Sequence, residues 1–230
     1  MNDIKVISFD ADDTLWVNET YFQQTREKYA ALLSDFLPAV QVEKILEETE
    51  HRDLPYYGYG IKPFTLSMIE AAAHIAGNGL TPEIILEIIK LGKEMLSHEV
   101  EVLSGTADVL QGLNGKYKLV VATKGDLLDQ KRKLDKSGLL PYFHHIEIMS
   151  DKKPDDYRKI LTKLDCAPDN FLMVGNSLRS DILPVLELGG KAVHIPFSVT
   201  WGHEMIDGEI SHPNFHQLDD ITQILSLLNT

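Results

Sequence analysis

The sequence predicts an α/β fold: a doubly wound, mostly parallel sheet carrying an α-helical subdomain inserted after its first strand. Three observations lead there. Apolar, β-branched runs recur along the chain, helical patterns separate the later ones, and the interval between the first run and the second is long and almost devoid of strand-like sequence. The first run is Ile4-Lys5-Val6-Ile7-Ser8-Phe9 and the second Tyr117-Lys118-Leu119-Val120-Val121-Ala122. Then come His145-Ile146-Glu147-Ile148-Met149, Asn170-Phe171-Leu172-Met173-Val174 and Lys191-Ala192-Val193-His194-Ile195. Near-continuous apolar strands suit a sheet covered on both faces. Helices are expected over 127–137, closed by Gly138, over 155–164, and over 181–188, closed by Gly189-Gly190, since glycine readily takes the left-handed conformation that ends a helix. Such alternation builds right-handed βαβ units.

The long interval reads as helices. Residues 21–36 place Phe22, Tyr29, Leu33 and Phe36 at helical spacing, 64–76 are Ala-rich and stop at Gly77, and 82–96 carry Ile85, Ile88, Ile89 and Met95 on one stripe. Thr81-Pro82 is a helix start and Gly105 a return hinge. The expected division is therefore an α/β core of residues 1–16 and 98–230 and a helical domain of 17–97, with a terminal helix over 218–228.

Composition narrows the function. A chain of 230 residues with 43% hydrophobic and 25% charged residues suits a globular protein with a substantial core. Its 22 Lys+Arg against 35 Asp+Glu give a net charge of −13, which argues against a nucleic-acid polymer as partner, because such binding neutralises phosphates with basic side chains. One cysteine, Cys166, cannot form an internal disulfide. With Asp3 and Asp10 where a signal peptide would be basic and then apolar, a cytoplasmic location is expected. No segment has the apolar length of a membrane span. The nine histidines show no metal-ligand spacing such as HExxH and read as surface or turn residues.

The chemistry gathers where strands end. Asp10-Ala11-Asp12-Asp13-Thr14 follows the first run, placing Asp10 and Asp12 on one side of an extended chain. Taken alone, this pentapeptide also fits an Asx turn with solvated acids. Thr123-Lys124-Gly125-Asp126 follows the second run, Ser150-Asp151-Lys152-Lys153-Pro154 the third, and Gly175-Asn176-Ser177-Leu178-Arg179-Ser180-Asp181 the fourth. Open α/β sheets bind ligands at this edge. Carboxylates, a hydroxyl, lysine and a tight Gly turn suit phosphoryl transfer: a group to attack, a cation to hold phosphate oxygens, and donors for the spreading charge.

In this order and spacing the segments resemble the haloacid dehalogenase (HAD) superfamily, specifically its phosphatase branch with a helical (C1-type) cap after the first motif. The resemblance covers about residues 4–196. It implies a Rossmann-like core and a Mg²⁺-dependent phosphomonoester hydrolase for a small metabolite such as a sugar phosphate or nucleoside monophosphate. By matched position, Asp10 is the nucleophile that becomes an aspartyl phosphate, and Asp12 is the acid/base whose backbone carbonyl also helps hold Mg²⁺. Thr123 donates to a phosphoryl oxygen, a lysine of the third motif holds the phosphate, and Asn176 and Asp181 complete the metal shell with Asp10. Lys124 and Gly125 lie in the phosphate-binding loop. The dehalogenases proper lack the second carboxylate, so Asp12 favours phosphate over halide. A phosphonatase would need a cap lysine such as Lys62 or Lys90, which read as solvated helix residues.

Two positions depart from the family pattern. Asn176 stands where an acidic metal ligand is common and brings no charge, so weaker Mg²⁺ binding is expected. In the third motif Lys153 precedes Pro154 as in the usual Lys-Pro form and is favoured slightly over Lys152. Leu54-Pro55-Tyr56-Tyr57-Gly58-Tyr59-Gly60 offers Tyr57 and Tyr59 as substrate contacts of a cap that opens and closes, or as an aromatic cap core. Trp201-Gly202-His203 either lines a substrate mouth or packs a loop. A phosphomutase on the same scaffold and a weakened phosphate-binding regulatory protein are the alternatives, and a monomer or homodimer is expected.

Overall fold

A computed structural model of the chain describes residues 3–206 and 208–228. It contains a six-stranded sheet in the order β3-β2-β1-β4-β5-β6, with every neighbouring pair parallel. The strands are β1 (Val6–Phe9), β2 (Lys118–Lys124), β3 (His145–Met149), β4 (Phe171–Gly175), β5 (Lys191–His194) and β6 (Phe215–Gln217). From β1 the chain proceeds outward to β2 and β3, then returns to β4 on the other side of β1. The topological switch point therefore lies between β1 and β4, where ligands bind in doubly wound sheets.

Alternating side chains feed two cores, as the period of two requires. Ile7, Phe9, Leu119, Val121, Leu172, Val174 and Val193 point to one face, where α5 (Thr106–Leu113), α6 (Leu127–Ser137) and α9 (Gln223–Leu227) pack through Val109, Leu110, Leu134 and Ile224. Val6, Val120, Ala122, Phe171 and Met173 point to the other, against Tyr157, Ile160 and Leu161 of α7 (Pro154–Lys163) and Val185 of α8 (Leu183–Glu187). A turn of π-helix, Leu178–Ile182, precedes α8.

The chain divides into two compact units. One comprises residues up to Glu19, Val100–Lys124 and Gln130 onward; the other is Thr20–Glu99 with Gly125–Asp129. The expected junction at 16/17 precedes the start of that helical unit by three residues and the one at 97/98 falls two residues inside its end; the short 125–129 segment joins it as well, where Asp126 accepts two 3.0 Å hydrogen bonds from Lys62. The helical unit holds α1 (Glu19–Leu32), α2 (Ala39–Tyr57), α3 (Ile61–Ala76) and α4 (Pro82–Ser97) around Tyr29, Leu33, Val42, Leu46, Phe64, Met68 and Ile88. Gly92 of α4 sits where a Cβ would overlap Thr65, so its lack of a side chain sets the α3–α4 approach. Thr81 caps α4 through the Ile84 N–H, with Pro82 in the first turn.

Several elements differ from expectation. The first helix stops at Leu32, because residues 33–37 form turns back onto Leu33. The tail helix is confined to Gln223–Leu227. Residues 181–188 are split between the π-turn and α8, since Pro184 at the start of α8 has no N–H to continue a regular ladder.

Candidate active site

Five side chains come together at the switch point. Asp10 continues the ladder beyond β1, its N–H donating to Val174 O at 2.9 Å, and this places its carboxylate in the interior at 6% exposure. The Lys152 ammonium lies between Asp10 Oδ1 and Asp181 Oδ1, 2.6 Å from the latter. Thr14 Oγ1 is 3.3 Å from both Asp10 Oδ2 and Asn176 Oδ1. Asp181 is held by the Ser177 N–H, 3.0 Å from its Oδ2, at the π-turn, a distortion that often marks functional sites. Gly175 is needed here because a Cβ on it would overlap the Asp181 carboxylate. Thr123 is buried near the end of β2, two residues past the Phe9–Val121 register pair.

Burial sets the electrostatics. Removal from water pushes Asp10 up to about 7, against the pull of Lys152 and with the help of Asp181. Burial alone would press the Lys152 ammonium down, but the two carboxylates overcome it and hold the group raised and charged. Asp10 is therefore a carboxylate whose ionised form depends on a neighbouring cation.

The two candidate lysines separate cleanly. Lys152 enters the cluster, whereas Lys153 points outward, pairs with Asp151 at 2.8 Å and leaves its side chain exposed. This corrects the slight preference for Lys153. Pro154 opens α7 and fixes Lys153 as the residue before the helix, so the inward direction falls to the preceding residue.

Asp12 engages other partners. Its Oδ1 accepts from Trp16 Nε1 at 2.7 Å and from Lys133 Nζ at 2.6 Å, and its Oδ2 from Gln130 Nε2 at 2.7 Å. Asp13, in the left-handed region at φ 62, accepts from the N–H groups of Asn18 and Glu19 and so orders the entry to α1. Burial raises Asp13 to about 7.

Lys124 is paired with Glu204 and donates to Ser180 Oγ at 2.9 Å. Glu204 also accepts from Ser177 and, at 2.6 Å, from Ser180. Burial would raise this carboxyl, yet Lys124 and the hydroxyls bring it down to about 2. The Trp201-Gly202-His203 segment thus belongs to a loop whose next residue reaches into the sheet edge, tied further by Arg179 Nη1 to His203 O at 2.8 Å. Gly125, Tyr57 and Tyr59 belong to the helical unit. Tyr56 and Tyr57 are exposed there, so neither forms an aromatic core.

Sequence reading missed Gln130, Lys133 and Glu204. The first two stand three residues apart on α6, immediately after a motif-bearing strand, and that spacing was a usable signal. Glu204 lies far from Lys124 in sequence and carries none.

Among the described residues no group of three or more His, Cys, Asp or Glu side chains forms a metal cluster. Asp10, Asp181 and the Asn176 amide nevertheless present hard oxygen donors of the kind Mg²⁺ takes, beside a backbone fixed by Gly175. The set fits such an ion, with one fewer negative charge than three acids would bring.

Comparison with known proteins decides the family. Residues 4–189 match the model of the haloacid dehalogenase-like hydrolases. The chain is a haloacid dehalogenase-like hydrolase. This hydrolase is 33% identical to a haloacid dehalogenase-like family hydrolase from Xanthomonas campestris, whose crystal structure superposes with a TM-score of 0.89 over 99% of this chain and 91% of that one. It is 25% identical to the glyceraldehyde 3-phosphate phosphatase of Methanothermobacter thermautotrophicus over 245 residues, 98% of this chain and 100% of that protein. A magnesium-bound HAD hydrolase of Bacillus subtilis shares the fold, at 18% identity and a TM-score of 0.67 over 100% of both chains.

Proposed function

We propose that this hydrolase is a Mg²⁺-dependent phosphomonoesterase acting on a small phosphorylated metabolite, such as a sugar phosphate or nucleoside monophosphate, through an aspartyl phosphate at Asp10. The observation that carries the reading is the Asp10 carboxylate, buried beyond β1 with the Lys152 ammonium shared between it and Asp181. Asp10 attacks phosphorus, and Lys152 and Thr123 hold phosphoryl oxygens as charge spreads over them. Asp12 gives a proton to the departing alkoxide and later takes one from the water that releases phosphate. Bound through Asp10, the Asp12 carbonyl, Asn176 and Asp181, Mg²⁺ would offset the repulsion between an anionic nucleophile and an anionic ester. The phosphatase named among the relatives and the magnesium of the Bacillus subtilis protein support this choice.

No helix among the described residues is long and apolar enough to cross a membrane. A cytoplasmic setting and a monomer or homodimer remain part of the proposal. Tyr57 and Tyr59 are its candidates for substrate contact.

The test is release of inorganic phosphate from p-nitrophenyl phosphate with Mg²⁺. Wild-type turnover abolished by Asp10→Asn supports the reading. Phosphate binding without turnover in the wild type would replace it with a regulatory module, and isomerised ester without released phosphate would replace it with a mutase. A panel of phosphorylated metabolites, read as inorganic phosphate, then identifies the substrate.

A further inference from the structure

The Asp12 carboxylate accepts from three donors that the proposed chemistry does not itself require, and its side chain stays 21% exposed. Trp16 comes from the same loop, but Gln130 and Lys133 come from one face of α6 and reach it at 2.7 and 2.6 Å. Both are withdrawn from water, Gln130 at 3% exposure and the Lys133 side chain at 12%. A helix that needed only to pack here would present apolar residues, as α6 does one position further on with Leu134.

The Gln130 amide is unambiguous in orientation, because Nε2 meets two acceptors, Asp12 Oδ2 and Lys124 O at 3.0 Å. Its Oε1 is buried with no donor among the described residues. The Lys133 ammonium also donates to Asn18 Oδ1, at 3.2 Å, which ties it to the loop that leaves the Asp12 segment.

We propose that Gln130 and Lys133 are positioning residues of the reaction, which hold the Asp12 carboxylate at the place from which it exchanges protons with the leaving group and the water; this rests on the phosphatase reading above. In the first step the bond from Asp10 to phosphorus forms, the ester P–O bond breaks, and the Asp12 proton moves to the departing oxygen. In the second, water oxygen bonds to phosphorus, the Asp10–phosphorus bond breaks, and the water proton returns to Asp12. Fixed placement of that one carboxyl serves both transfers, and misplacement slows them without altering the nucleophile.

The experiment measures kcat/KM for p-nitrophenyl phosphate and phenyl phosphate in the wild type, Gln130→Leu, Gln130→Glu, Lys133→Met and Lys133→Arg, with Asp12→Asn as the reference. The two esters are similar in shape, but the second leaving group needs a proton far more. Lys133→Met and Gln130→Leu are expected to lose about 10²-fold on phenyl phosphate, within the range for general acid–base groups, and at most about tenfold on the nitrophenyl ester. That skew should match the one Asp12→Asn gives. Lys133→Arg should recover most of it. If Lys133→Met or Gln130→Leu does not fold, as read by circular dichroism, Gln130→Glu supplies the same ratio, because it removes the donor with little change of shape. Equal losses on both esters, or none, with the wild type active, overturn this inference and leave the phosphatase reading standing. A wild type inactive on both esters overturns that reading and this inference together.

Discussion

One ammonium group, that of Lys152, sits between two buried carboxylates that would otherwise repel one another, and in the proposed mechanism it keeps Asp10 ionised for attack. Lys152→Ala should therefore lower kcat about 10²- to 10³-fold, the usual loss for a preorganised electrostatic donor. It should also destabilise the fold by about 3–5 kcal/mol through the uncompensated buried charges. Lys153→Ala, at an exposed position paired only with Asp151, should change stability by about 0–1 kcal/mol and leave turnover nearly intact. Steady-state kinetics and denaturant titration of the two variants check both parts, and equal kinetic losses would refute the assignment. Asn176→Asp should shift the Mg²⁺ dependence of phosphate release to lower concentration by adding a charge to the donor set. An unchanged titration would show that Asn176 is no ligand. The positions of Asp10 and Asp12, the proposed nucleophile and acid, were legible at this scale, since both follow an unmistakable strand. Lys152 and Lys153 were not separable, because adjacent residues of an extended loop point to opposite sides and sequence does not say which side is the interior.

At the scale of elements, the loop ending in Glu204 ties the turn after β4 to the end of β2 through Ser177, Ser180 and Lys124. The Glu204 carboxyl is lowered from 4.5 to about 2 in the folded chain, so the folded state favours its ionised form. The resulting stabilisation is fully present above about pH 4.5 and fades as pH falls toward about 2. Its ceiling is roughly 3 kcal/mol, at 1.36 kcal/mol per unit. Glu204→Gln should thus be less stable than wild type near neutrality, with the difference shrinking below about pH 4.5; a pH-independent difference in denaturation midpoints would contradict this account. The β1–β5 strands and α6 were readable from apolar runs and glycine stops. Helix α2 was not, because Thr49, Glu50 and Asp53 occupy buried positions where an apolar stripe would have continued past Val42 and Leu46. Arg26 neutralises Glu50 at 2.6 Å and Ser67 donates to Asp53 at 2.7 Å, so the polar residues are satisfied by partners distant in sequence. Pro55 and the following Tyr-Gly residues made its end resemble a loop. Strand β6 has three residues and too little pattern to find.

For the whole molecule, the sheet and the helical unit each bury their own hydrophobic cluster. Leu46→Ala should cost about 2–5 kcal/mol by cavity formation, and its loosening should be confined to amides of residues 20–99 in native-state hydrogen exchange. Equal loss of protection in β1 and β4 would mean that the two cores open as one. The insertion itself was legible from the missing strand signal, whereas the membership of Gly125–Asp129 was not, since it depends on Lys62 reaching Asp126 across the sequence. What the sheet order accomplishes is to bring Asp10, Thr123, Lys152 and Asp181 from four separate strand ends to one edge. The most direct test of that arrangement is to quench the enzyme during turnover of p-nitrophenyl phosphate with Mg²⁺ and map the phosphoryl group by peptide mass spectrometry. The account predicts a hydroxylamine-sensitive acyl phosphate on Asp10 that forms and decays at rates matching turnover and is absent from Asp10→Asn. Sustained release of phosphate with Asp10 never labelled, or with Asp10→Asn still active, would contradict it.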